Sequence, residues 1–144
     1  MKTLATNRKA RHNYNIGDTA EAGIMLTGSE VKVLRSNGGQ IAEAYVGYED
    51  NELWLINSHI DQYEEASYNN HEPRRRRKLL MHRKEMDKLG EKVERAGFSI
   101  IPLKLYLNDS GKVKLEIGLG KGVKRYDRRE KEKAKEWRNE KGEF

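Results

Sequence analysis

Histidines, carboxylates, a glycine run and clustered cations are the residues of this chain whose types and spacing could carry chemistry. Four histidines, His12, His59, His71 and His82, are scattered with no pair at HExxH or a comparable ligand spacing. The chain has no cysteine, which removes disulfides, Cys-based zinc sites and thiol nucleophiles. No metal site and no cofactor is expected. Gly118-Leu-Gly-Lys-Gly122 resembles a phosphate-cradling loop only superficially, lacking the six-residue glycine spacing, the Ser/Thr after Lys and a following apolar helix. Glu21, Glu30, Asp61 and Glu85 show none of the spacing that a magnesium-dependent nuclease or an acid–base pair would need. Catalysis has no positive sign.

Cations do. Arg8-Lys-Ala-Arg11, the Arg-Arg-Arg-Arg-Lys run at 74–78 and the C-terminal segment can each neutralise phosphates and release counterions. His12, Tyr14, His71, His82 and Tyr126 lie near them and could stack on unpaired bases. Glu21 is the informative exception. A carboxylate on a surface that meets phosphates is costly unless it accepts from base amino or imino groups, so Glu21 facing RNA would read bases.

Composition agrees with a polyanionic partner. The 144 residues carry 29 Lys and Arg against 23 Asp and Glu, a formal charge of +6. That length makes one domain with at most a short appendage, which excludes multidomain enzymes and long repeat arrays. Leu, Ile, Val and Phe total 29 residues, about 20 per cent, the boundary at which burial stops offsetting conformational entropy. Residues 121–144 hold ten basic and six acidic side chains and only Val123 and Phe144 among the strongly apolar residues. We therefore expect a domain over 1–120, a flexible joint at the glycines of 118–122, and a basic tail over 121–144. No apolar run approaches the ~18 residues of a membrane span, and residues 1–11 lack the apolar core of a secretory leader. A cytoplasmic protein is expected.

The elements that must position these residues follow from periodicity. Ile101, Leu103, Leu105 and Leu107, the turn Asn108-Asp-Ser-Gly111, then Val113, Leu115, Ile117 and Leu119 alternate at period two and predict a β-hairpin. Residues 45–48 and 53–56 flank a turn at 49–52 and predict a second. Ala20, Ala22, Ile24 and Leu26 predict a long first strand over 13–26. Thr27-Gly-Ser-Glu30 matches a capping box and opens a helix ending near Asn37-Gly-Gly39. A second helix is expected over about 79–95 before Gly97, with Leu79, Met86, Leu89 and Val93 on one stripe and Leu80 pointing away from it. A long polar connection at 64–78 precedes it. The expected class is mainly β with two or three short helices, an OB-like closed antiparallel barrel of five or six strands with a basic C-terminal tail.

Several ordered motifs, Asn7-Arg-Lys-Ala-Arg-His12, Glu21-Ala-Gly-Ile24, Gly28-Ser-Glu-Val-Lys32 followed by Leu34-Arg35, Asn70-His-Glu-Pro-Arg74, Arg77-Lys-Leu-Leu80, Pro102-Leu-Lys-Leu-Tyr106 and Tyr126-Asp-Arg-Arg129, resemble the SsrA-binding protein (small protein B) family of bacteria. The resemblance runs in order from residue 7 to the tail. It implies an OB-like barrel, without catalytic residues, that binds the tRNA-like domain of transfer-messenger RNA (tmRNA) and delivers it to stalled ribosomes for trans-translation. Carried over by position, the RNA-contacting residues fall on Asn7, Glu21, Leu80 and Lys114, with basic support from Arg8, Arg11 and Lys78. The implied ribosome-interacting tail residues are Tyr126, Asp127, Arg128, Arg129 and Trp137, with disorder in the free protein and a helix on the ribosome. The implied partners are ribosomal RNA of the decoding region and mRNA channel and, indirectly through charged tmRNA, elongation factor Tu. A general single-strand-binding OB protein is the alternative, though the aromatics outside predicted core positions are few for it. A small nuclease is the remaining one.

Overall fold

A computed structural model describes residues 1–64 and 70–122. Seven strands and three helices follow in the order β1 (Lys2–Thr6), α1 (Ala10–Asn13), β2 (Tyr14–Ile24), α2 (Gly28–Asn37), β3 (Tyr45–Glu49), β4 (Glu52–Ile56), β5 (Arg77–Leu80), α3 (Arg83–Ala96), β6 (Ser99–Leu107) and β7 (Val113–Gly122). The strands make one mainly antiparallel sheet in the order β1-β6-β3-β4-β5-β2-β7, with a further pairing of β6 to β7. Successive pairings thus lead from β6 around to β7 and back to β6, with β1 outside that circuit. Leu53, Leu55, Leu79, Leu105, Leu115 and Ile117 point inward from four strands and are almost completely buried. α2 contributes Val33 and Leu34 to the core, and α3 contributes Met86.

Local chemistry explains the elements that periodicity predicts. Thr27 caps α2 through its side chain, Glu30 returns a carboxylate oxygen to the Thr27 N–H at 2.8 Å, and such a box stabilises by about 1 kcal/mol. Gly38 ends the helix with φ 74°, and a Cβ there would lie 2.6 Å from the Leu4 carbonyl oxygen, so only glycine fits. Asp50 and Asn51 both take positive φ between β3 and β4, as a tight two-residue hairpin turn requires. α3 lies so close to β3 that a Cβ at Gly90 would come within 2.5 Å of the Tyr48 ring.

Four expectations need correction. Among the described residues the strands number seven: residues 2–6 form β1 on the β6 edge, and the four-residue α1 follows with Ala10 packed on Ile101 and Leu103. The second helix begins at Arg83, because residues 77–80 are strand β5. Leu80 therefore points outward by strand alternation against buried Leu79, and the helical-wheel reason for its exposure does not hold. The glycines at 118–122 are not a joint. β7 runs through them, and a Cβ at Gly118 would meet Ile16 Cγ2 at 2.8 Å, so glycine lets β2 lie across β7. The extent of the tail, Tyr126, Asp127, Arg128, Arg129 and Trp137 included, lies outside the described residues.

The fourth correction concerns the basic run at 74–78, which is only partly a surface. Arg77 is fully buried and pairs with equally buried Glu30 at 2.6 Å, while Arg75 reaches the other Glu30 oxygen at 2.5 Å. Arg77 also donates to Ser58 Oγ at 2.7 Å and to the Pro73 carbonyl at 3.1 Å. Burial alone would raise the Glu30 pKa, but hydrogen bonds from Arg75, the Thr27 N–H and Arg77 outweigh it and hold the carboxyl below its ordinary value. Burial draws the Arg77 pKa down, against the opposing pull of Glu30. His71, expected to be free for base stacking, is also inside. Its Nδ1 is 2.9 Å from Ser29 Oγ and its Nε2 2.9 Å from the Ile60 carbonyl oxygen. This polar cluster ties the connection before β5 to the N-terminus of α2.

Candidate RNA interface

The register of four strands assembles the site. β2 pairs with β7 as far as Gly23↔Lys114, with β5 at Gly23↔Leu80 and Ile24↔Leu79, and β7 pairs with β6 at Tyr106↔Lys114. Leu80, Gly23, Lys114 and Tyr106 therefore stand in one row across β5, β2, β7 and β6. The adjacent row runs Glu21, Glu116, Lys104 and Thr6, the last from β1. Because Ala22, Ile24, Leu79, Leu115 and Leu105 are buried, the intervening residues of both rows project outward. Leu80 is 49 % exposed, which is unusual for a leucine in the middle of a sheet.

Gly23 makes a dip in this face. A Cβ there would sit 3.3 Å from Leu80 Cβ and 3.8 Å from Lys114 Nζ, so any side chain would separate the two. Beside the dip lies a cleft of about 390 Å³, lined by Leu80, Lys112, Lys114, Leu26 and Val31 among others. It offers apolar contact at one wall and ammonium groups at the other.

Glu21 stands directly opposite Glu116, a like-charge pair that costs stability in a sheet. The Tyr106 hydroxyl donates to Glu21 Oε2 and offsets part of that cost. Burial, and then the hydrogen bond to Glu21, push the Tyr106 phenol up to about 12, so at neutral pH it remains a donor. Tyr106 Oη thus fixes one carboxylate oxygen, and Glu21 Oε1 can accept from a ligand. Lys104 lies over the Tyr106 ring at 5.4 Å. The result is a tyrosine-held carboxylate beside Glu116 and Lys104, with Lys114 in the neighbouring row, an arrangement able to distinguish a base edge from a phosphate.

The remaining predicted residues come from the β1–α1 connection, α1 and β5. Asn7 follows Thr6 and spends its Nδ2 on the Pro102 carbonyl at 2.9 Å, which leaves Oδ1 for a ligand and steers the chain toward exposed Arg8 and Arg11. Lys78 points outward two residues before Leu80, with Nζ 3.8 Å from a Glu52 oxygen. His82 is exposed at the start of α3. Tyr106, Gly23, Lys104 and Glu116 were not singled out from sequence. Tyr106 was detectable in principle, since it falls at an outward position between Leu105 and Leu107. Among the described residues no group of three or more metal-ligating side chains occurs, and no helix is long and apolar enough to cross a membrane.

Comparison with known proteins places this geometry in a family. The family model described as SmpB protein matches residues 4–143. The SsrA-binding protein of Brucella canis is 54% identical over 140 residues, 97% of this chain and 89% of its own length, and that of Brucella ovis is 54% identical over the same extent. A solved structure from work described as "tmRNA-SmpB: a journey to the center of the bacterial ribosome" is similar with a TM-score of 0.70 and 44% identity, covering 90% of this chain and 94% of that one. With its motifs matched in order and its length covered almost throughout, the chain belongs to the SmpB protein family.

Proposed function

We propose that this chain binds the tRNA-like domain of tmRNA through the Glu21–Leu80–Lys114 face and delivers it to stalled ribosomes for trans-translation, as a non-enzymatic adaptor in the cytoplasm. The observation that carries the reading is the four-strand row in which Leu80, Gly23 and Lys114 stand side by side with Glu21 one step away. Family membership supports the identity of the RNA. Lys114 and Lys112, together with Arg8, Arg11 and Lys78, supply phosphate neutralisation. Leu80 gives apolar contact, Glu21 reads a base edge, and Asn7 Oδ1 accepts a further hydrogen bond. The circuit of pairings through β6, β3, β4, β5, β2 and β7, with helices at its ends, supports an OB-like closed barrel. The tail that follows β7, 123–144, is assigned the ribosomal contacts.

Capture of RNA from cells with the purified protein, followed by sequencing, tests the assignment. One dominant stable RNA with a tRNA-like end is the expected result, whereas a spread of messenger fragments would point to a general single-strand binder. On the same face, Lys114→Ala should weaken binding of a tRNA-like-domain fragment and make the logarithmic salt slope shallower by about one unit or less. Titration at several salt concentrations checks this. A large loss with an unchanged slope would mean that Lys114 does not meet a phosphate.

A further inference from the structure

The outward face does not stop at Leu80. Lys78, two residues earlier on β5, stands opposite Trp54 of β4, and Trp54 stands opposite Gly47 of β3. Trp54 lies between buried Leu53 and Leu55, so it projects to the same outer side as Lys78 and Leu80, one strand over and one alternation step along. Gly47 places no side chain beside it. In the next row Tyr45 faces Ile56, and Tyr45 is 54% exposed.

Charged groups around Trp54 are arranged for a flat ligand. The Arg76 guanidinium lies over the indole, 5.1 Å from the ring centroid, and is held there by Glu49 at 2.6 Å. Glu52 is engaged by Arg83 at 2.7 Å and by Lys78 at 3.8 Å. The Arg74 N–H donates to Glu72 Oε1 at 2.9 Å, while its guanidinium donates to Asn57 Oδ1 at 2.9 Å and makes no ion pair among the described residues. Glu49 and Glu52 are thus already matched by cations, while the Arg74 guanidinium remains for an incoming phosphate. A guanidinium layered on an indole, with an exposed phenol ring in the next row, presents planes on which splayed bases stack. A duplex keeps its bases inside and could not use them.

We propose that the RNA-binding face continues from Leu80 across Lys78 onto β4 and β3, where Trp54, Arg76 and Tyr45 receive an unpaired nucleotide of the same RNA. The inference rests on the reading that the Glu21–Leu80–Lys114 face binds the tRNA-like domain. It follows from the continuity of the two surfaces through Lys78, and it adds base stacking on β4 to the contacts made by β2, β5 and β7.

Trp54 is its own reporter, because Trp54 and Trp137 are the two tryptophans of the chain and Trp137→Phe leaves one signal. Titrating that protein with a tRNA-like-domain fragment of tmRNA should quench Trp54 emission saturably at one equivalent. Trp54→Ala should weaken binding by about 5- to 150-fold, and Trp54→Phe, which keeps a ring, should recover most of the loss. Arg76→Lys keeps the charge but not the plane, so affinity should fall with little change in salt slope. Unchanged emission at saturation, together with affinity within about twofold for a folded Trp54→Ala protein, would overturn the proposal. So would intact RNA affinity with lost peptide tagging, which would assign this surface to a different partner. Failure of the underlying reading looks different: Glu21→Ala and Lys114→Ala would then leave affinity for the fragment unchanged, and both assignments would fall together.

Discussion

Glu30→Ala should lower the unfolding free energy by on the order of 3–5 kcal/mol, a large share of the ~5–15 kcal/mol typical of a domain of this size. The substitution leaves the fully buried Arg77 guanidinium without its carboxylate, 2.6 Å away in the native protein, and releases Arg75 and the Thr27 cap as well. Urea unfolding at neutral pH measures the loss directly. A change below about 1 kcal/mol, the size of an exposed ion pair, would mean that Arg77 finds solvent and that the cluster does not hold the fold.

The same carboxylate sets a pH dependence. Glu30 titrates below its ordinary value in the folded protein, so in the acid range the unfolded chain binds the extra proton. Its contribution is present above the unfolded-state pKa and is lost as pH falls through the folded one. Stability of the native protein should therefore drop on acidification, and that of Glu30→Gln should start lower and fall less steeply over the same interval.

This cluster also marks where sequence reasoning reached its limit. The β6–β7 and β3–β4 hairpins and α2 were legible because their signals are local: alternation, turn residues and a capping box all lie within a few positions of one another. β5 was not. Its inward positions are Arg77 and Leu79, so the alternation is hidden inside a run of cations. What makes an inward arginine tolerable is Glu30, 47 residues earlier in the chain. Placing Leu80 in a helix gave the right exposure by the wrong route. β1 was missed because residues 2–6 bear only one strongly apolar side chain, Leu4, and the strand exists by pairing with β6. Glu21 and Lys114 are legible as outward positions of alternating strands, and Leu80 is expected on the same surface as Glu21, but only the register shows how the three line up and that Tyr106 holds Glu21 in place.

Deleting residues 126–144 should leave affinity for tmRNA within about twofold and abolish peptide tagging on stalled ribosomes. From 127 to 141 the chain is mostly Glu, Lys, Arg and Ala, good helix formers that in so short a segment need a partner for stability. In a helix Tyr126 and Trp137, eleven residues apart, would fall within about 20° of one another in projection. Arg129, Lys133 and Lys141 would flank that stripe, a face suited to stacking and phosphate contacts with ribosomal RNA. Filter binding of tmRNA and a tagging assay on ribosomes stalled at a message end separate the two steps. Loss of tmRNA binding on deletion, or normal tagging without the tail, would each defeat this division between the sheet domain and the tail.

If the outer face of β2, β5 and β7 reads the tRNA-like domain through a carboxylate, equilibrium binding of that RNA must weaken in Glu21→Ala. The substitution makes the protein more basic, so a purely electrostatic surface would bind more tightly. Base reading predicts the opposite, a loss of about 5- to 150-fold, the equivalent of 1–3 kcal/mol for a good base contact, in a protein whose circular dichroism and melting match the parent. Binding by folded Glu21→Ala as tight as the parent's, or tighter, would contradict the account.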